Sequence, residues 1–78
     1  MTVEEIQSTV KAARDSVWVI EDSISRLYED PESEKLKASI ERNVSHLKLV
    51  VASPDIANSS EDISDLNSAI LAGEAALV

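Results

Sequence analysis

The sequence predicts an all-α fold, in which an antiparallel helical hairpin and a third helix form a three-helix bundle. In the first third of the chain, apolar residues recur at alternating spacings of three and four, as on a helix that faces a partner helix. Two later segments also have apolar stripes of helical spacing. Pro31 and Pro54 fall between the three segments, where they interrupt no helix. We therefore expect a single helical domain over residues 1–78.

Helix 1 is predicted over residues 2–29. Thr2 and Glu5 have the spacing of a capping box, which satisfies free amide groups at the start of a helix. The apolar residues form one continuous seam: Val3, Ile6, Val10, Ala13, Val17, Ile20, Ile24 and Leu27. Because the positions beside this seam are mostly polar, we expect helix 1 to pack mainly along one line.

Helix 2 is predicted over residues 31–52. Asp30 is a favoured N-cap residue, and Pro31 suits the first helical position. The apolar stripe of this helix consists of Leu36, Ile40, Val44, Leu47 and Val51. So short a connection makes helices 1 and 2 antiparallel neighbours.

Helix 3 is predicted over residues 60–77, after a loop with a single helical turn around Ile56. Ser59 or Ser60 is the expected N-cap. The expected inner face contains Ile63, Leu66, Ile70 and Leu77, with Gly73 in the same stripe. Small residues around Gly73 would allow close approach of another helix. A second copy of the chain could complete the core by homodimerisation.

The charge of the chain argues against several classes of ligand. The net charge is −8, and no Lys or Arg follows Lys48. Direct binding to nucleic acid and to an acidic membrane surface is therefore disfavoured. The residues after Met1 have neither the basic nor the apolar region of a signal peptide, and no stretch is apolar enough to span a bilayer. With no cysteine present, we expect a cytoplasmic protein.

The sequence offers no set of residues that would support catalysis. It contains one His, one Gly and no Cys, which excludes the usual zinc ligand sets, a cysteine nucleophile and a glycine-rich phosphate loop. The single histidine, His46, is expected to be exposed or at the edge of the core. We therefore expect that the chain is not an enzyme and that it binds no cofactor and no metal ion.

The candidate partner-binding residues begin with Trp18 and Val19, which lie outside the heptad seam of helix 1. Tryptophan is enriched among the residues that dominate binding energy at protein interfaces. Arg14 precedes Trp18 by one turn and could stack on its ring, and Leu49 lies opposite the apolar stripe of helix 2. In the alternative interpretation, helix 3 or a second copy of the chain covers these side chains.

Asp15 and Asp22 complete the candidate site, and together with Glu29 they recur every seven residues on helix 1. Such a row could imitate a phosphate backbone and bind a protein that recognises nucleic acid. The alternative is an ordinary solvated helix face, which usually carries charge.

These observations support three hypotheses for function. The leading one is a small acidic protein-binding module, a regulator or inhibitor that occupies the surface of another protein. The second is a homo-oligomeric structural or assembly protein. The third, and least favoured, is an acidic nucleic-acid mimic. Exposure of Trp18 in the folded chain would separate the first hypothesis from the second.

Overall fold

The structure, a computed structural model, describes residues 1–78, and all of its regular secondary structure is helical. Its elements are α1 (Val3–Glu29), α2 (Glu34–Ala52), the single turn α3 (Pro54–Ala57) and α4 (Ser64–Ala76). The all-α prediction is confirmed. Helices α1, α2 and α4 each contact the other two, and the molecule measures 42 × 18 × 16 Å.

Helix α1 begins with the predicted capping box. The Thr2 hydroxyl accepts a hydrogen bond from the Glu5 amide at 3.1 Å, and the Glu5 carboxylate accepts one from the Thr2 amide at 3.0 Å. The helix then continues without interruption to Glu29. Asp30 ends it, and the Asp30 amide still donates to the carbonyl of Arg26.

The predicted start of helix 2 at Pro31 was wrong, because the N-cap is Ser33 rather than Asp30. The Ser33 hydroxyl accepts from the Leu36 amide at 3.3 Å. The Ser33 amide donates to the Asp30 carbonyl at 3.2 Å, so residues 30–33 form a turn with Pro31 at its second position, which proline favours. The proline therefore shapes the connection and does not open the helix.

The predicted start of helix 3 near residue 60 was also wrong, because α4 begins at Ser64. The Ser59 hydroxyl donates to the Ile56 carbonyl at 2.7 Å and accepts from the Glu61 amide at 3.3 Å. These local bonds hold the backbone in a loop and compete with helix formation. Asp62 accepts from the Ser64 amide at 3.0 Å and satisfies a free donor at the helix start.

The core contains the predicted seams with a few changes. Its buried apolar residues are Val10, Ala13, Val17, Ile20, Ile40, Val44, Leu47, Val50, Ile56, Leu66, Ala69 and Ile70. Val3 and Leu77 were expected inside but are 70% and 38% exposed. In α2, Val50 is buried and Val51 only partly so. These exchanges occur near helix ends, where fewer neighbouring elements are present to cover a side chain.

Helix α4 covers only part of the hairpin, since its 13 residues span about 20 Å at ~1.5 Å per residue. The preceding segment contributes to the core through Ile56 in α3, which is only 1% exposed. Helix α3 contacts both α1 and α2. The segment from Pro54 to Ile63 thus covers the part of the hairpin that the first turns of a longer third helix were expected to cover.

Gly73 explains how α4 lies so close to the hairpin. A Cβ atom built at this glycine would overlap the Val44 Cγ2 atom and would lie 3.3 Å from Ile40 Cγ2 and 3.5 Å from Ile20 Cγ2. A glycine here lets the backbone of α4 approach side chains of both α1 and α2. The sequence-based expectation of close approach at this stripe matches the packing.

Candidate protein-binding surface

Trp18 lies near the middle of α1 and is 72% exposed. No segment of the chain folds over it, which removes the part of the alternative interpretation in which helix 3 covers Trp18. One turn earlier, Arg14 reaches Asp65 on α4, which places Trp18 on the side of α1 that leads toward α4. The α4 positions that follow Asp65 at helical spacing are Ser68, Ala69 and Ala72. Their side chains are too short to cover an indole ring.

Val19 is 41% exposed and lies on the other side of the outer face of α1. Successive helical residues are about 100° apart. One turn after Val19, the buried Ser23 donates a 3.4 Å hydrogen bond to Ser39 on α2. Val19 therefore borders α2, whereas Trp18 borders α4, and the two side chains diverge.

Arg14, which the sequence suggested could stack on Trp18, forms two hydrogen bonds to the start of α4. Its Nε atom donates to the Asp65 carboxylate at 2.9 Å, and a terminal guanidinium nitrogen donates to the Asp62 carbonyl at 2.9 Å. The hydrogen bond and charge of Asp65 raise the pKa of Arg14 above its ordinary value. This side chain joins α1 to the start of α4. The sequence did not predict Asp65 as its partner, because the two residues are 51 positions apart.

The two candidate aspartates lie on the exposed face of α1, one turn on either side of Trp18. Asp22 forms a 2.9 Å ion pair with Arg26. Asp15 forms no ion pair, and neither does Glu21, which follows Trp18 at helical spacing. The ring of Trp18 is therefore flanked by two free carboxylates.

Leu49 is 75% exposed but belongs to a different surface. It lines a shallow depression together with Ala38, Glu41, Arg42, Ser45 and His46. All of these residues belong to α2, so the depression is an open helix face and not a cavity. The structure brings together Trp18, Arg14, Asp15 and Asp22, and it leaves Leu49 apart from them. His46 is exposed, as expected.

The structure also contains an apolar cleft of about 310 Å³ at the C-terminal end of α1, which the sequence did not predict. Its lining residues are Ile24, Leu27, Tyr28, Pro31, Ala75 and Ala76. The cleft forms where the C-terminal ends of α1 and α4 meet, and such a meeting is not visible in the sequence. The run of small residues at the end of α4 was the one available signal.

The hydrogen bond with Asp55 raises the pKa of the Met1 amino group above its ordinary value, and the two remaining shifted groups belong to helix starts. The hydrogen bonds from the Ser64 hydroxyl and amide lower the pKa of Asp62 below its ordinary value. The hydrogen bonds with Thr2 lower the pKa of Glu5 in the same way. No group of three or more His, Cys, Asp and Glu side chains is placed to hold a metal ion. None of the four helices has both the length and the apolar character needed to cross a bilayer.

No protein-family profile matches the chain, and no curated protein or solved structure shows significant similarity to it.

Proposed function

We propose that this chain is a non-catalytic, acidic protein-binding module that regulates or inhibits a partner by occupying its surface, with Trp18 as the central contact residue. The observation that supports this proposal is the 72% exposure of Trp18 on a fold that buries the neighbouring Val17 and Ile20. Leaving a large aromatic ring in water has no benefit for the stability of the single chain. Covering it with a partner recovers the hydrophobic free energy.

The position of Trp18 suits a binding role for two physical reasons. First, α1 is a continuous helix held by the core on its inner face, so the ring is presented from a rigid support. Second, a tryptophan has only two rotatable side-chain bonds, so its immobilisation on binding costs little entropy. An interface tryptophan of this kind commonly contributes about 2 kcal/mol or more.

The charges beside Trp18 suggest what the partner offers. Asp15 and Glu21 are exposed, and neither forms an ion pair within the chain. A partner surface with an apolar pocket and Lys or Arg side chains at its rim would complement this arrangement. Arg14 and Asp22 would then help to orient the partner without supplying a free charge, since their charges are already paired in the chain.

The second candidate function is a homo-oligomeric assembly protein, built from three-helix bundles that associate through their outer faces. The observation that favours it is the exposure of Leu49 and Leu71, at 75% and 70%, on α2 and α4. Two opposing facts are the net charge of −8 on every copy and the location of these residues on helices other than the one that carries Trp18. We rank nucleic-acid mimicry below both, because Asp22 in the acidic row is already paired with Arg26.

The proposal is tested by comparing Trp18→Ala with the matched variant Leu71→Ala. Both change one exposed apolar side chain, so both should fold. Proteins retained by the immobilised wild-type chain are quantified against those retained by each variant. We expect a partner that is retained by wild type and Leu71→Ala and lost with Trp18→Ala. Equal retention by all three chains would contradict the proposal.

Light scattering over a wide concentration range separates the two candidates. We expect a monomer at every concentration. A stable dimer would favour the assembly protein instead, and Leu49→Ala should weaken that dimer.

A further inference from the structure

The apolar cleft between the ends of α1 and α4 is a second surface, independent of Trp18. Three of its lining residues, Ile24, Leu27 and Ala76, are partly buried and continuous with the core. Tyr28 forms its outer wall and is 85% exposed. A concave apolar floor beside an exposed aromatic side chain is typical of a binding site for an apolar side chain.

Three acidic residues are next to lining residues of the cleft in the sequence. Glu29 follows Tyr28 directly, and Asp30 and Glu32 flank Pro31. All three are exposed, and none takes part in an ion pair. The nearby cations Arg26, Lys37 and Lys48 are paired with Asp22, Glu34 and Glu74 respectively. Lys35 is free but belongs to α2, which contributes no residue to the lining.

Two helix ends add partial negative charge, and the start of α2 at Glu34 adds the opposite partial charge nearby. Both α1 and α4 end at the cleft, at Glu29 and Ala76, and the C-terminal end of a helix carries partial negative charge. The last turn of α4 contains no basic residue, and Arg26 in the last turn of α1 is paired with Asp22. The cleft therefore favours a cation next to an apolar group.

We propose that this cleft binds an amphipathic segment of another protein that carries Lys or Arg beside an apolar side chain. The apolar side chain would lie against Leu27 and Ala76, and the cation would face Glu29, Asp30 and Glu32. A second copy of this chain fits poorly, because its own exposed tryptophan lies between the free carboxylates Asp15 and Glu21. Charge complementarity thus selects a basic partner segment.

The test uses a synthetic amphipathic peptide of Leu and Lys, together with an acidic twin in which Glu replaces every Lys. Binding to the full chain is mapped by amide chemical-shift changes and measured by calorimetry at low and high salt. We expect the changes to centre on Leu27, Tyr28 and Ala76, and the affinity to fall as salt rises. The acidic twin should not bind.

Matched variants make the result specific to the cleft. Tyr28→Ser should weaken binding of the Leu/Lys peptide about tenfold or more. Leu49→Ser, which changes another exposed side chain, on α2, should leave the affinity unchanged. Replacing Glu29 and Glu32 by Gln should weaken binding and reduce its salt dependence, while the same neutralisation at Asp15 and Glu21 should not.

Three results would overturn the inference. They are shift changes centred on another surface, equal binding of the acidic twin, and unchanged affinity in Tyr28→Ser. Trp18→Ala should bind the peptide as wild type does. The proposal for the cleft can therefore be contradicted without affecting the proposal for Trp18, and the reverse also holds.

Discussion

Asp62 shows how a single exposed residue can control where a helix begins. One of its carboxylate oxygens accepts from both the hydroxyl of Ser64, at 2.7 Å, and the Ser64 amide, at 3.0 Å. Its carbonyl accepts from Arg14. Asp62, two residues before the first residue of α4, is thus fixed by both a local and a distant partner, and α4 starts at Ser64 and not at the serines upstream.

The hydrogen bonds at Asp62 predict a specific pH dependence. They favour the carboxylate, so they lower the pKa of Asp62 in the folded chain, with the Ser64 hydroxyl as the largest cause. The stability from this group is present above the unfolded pKa and is lost as pH falls through the folded pKa. Ser64→Ala should raise the Asp62 pKa toward its ordinary value. NMR titration of the side-chain carbonyl carbon measures it.

Ser45→Ala is the control for this titration, because it removes an exposed serine hydroxyl from α2, far from Asp62 in sequence. The Asp62 curve should not move in that variant. An unchanged curve in Ser64→Ala would contradict the role assigned to the hydroxyl.

At the scale of the element, the start of α2 depends on Ser33, although Asp30 has the stronger sequence pattern. Ser33→Ala removes the acceptor for the Leu36 amide and should lower the free energy of unfolding by about 1 kcal/mol. Asp30→Ala should cost less, because the Asp30 backbone, not its side chain, forms the turn bonds. Urea unfolding of both variants checks the order. A greater loss of unfolding free energy in Asp30→Ala would instead support Asp30 as the N-cap of α2, as the sequence predicted.

This pair of residues shows why helices are easier to predict than their ends. The seams of α1 and α2 repeat over many turns, so one side of each helix could be assigned from periodicity alone. The boundaries depend on a choice among nearby polar residues such as Asp30 and Ser33, or Ser59 and Asp62. Local side-chain bonds and contacts from distant segments decide that choice, and neither has a repeating pattern.

The candidate site could likewise be predicted from the sequence only in part. Exposure of Trp18 was one of two outcomes considered, since helical geometry places it off the seam of α1. The bond from Arg14 to Asp65 joins residues 51 positions apart, and the cleft beside Tyr28 arises from two helix ends. Both required the three-dimensional arrangement of the helices.

At the scale of the whole molecule, Gly73 sets the distance between α4 and the hairpin. Gly73→Ala would gain up to about 1 kcal/mol of helix propensity, but its methyl group would overlap Val44. Overpacking of this kind costs about 1–3 kcal/mol. We therefore expect Gly73→Ala to destabilise the protein by about 1 kcal/mol, measured by urea unfolding.

A double-mutant cycle isolates the cause of this loss. Val44→Ala removes the overlapped methyl groups and should itself be destabilising, because Val44 is only 5% exposed. In that background, Gly73→Ala should become neutral or stabilising. The same loss in both backgrounds would mean that the glycine is not selected by this contact.

The exposure of the only tryptophan also determines what its light emission can report. An indole that is in water before and after unfolding changes its emission little, so Trp18 fluorescence is a poor probe of chain unfolding. A surface that covers the ring would move it to an apolar environment and shift its emission to shorter wavelength. The chain therefore carries its own optical sensor for occupation of the α1 surface, with no label required.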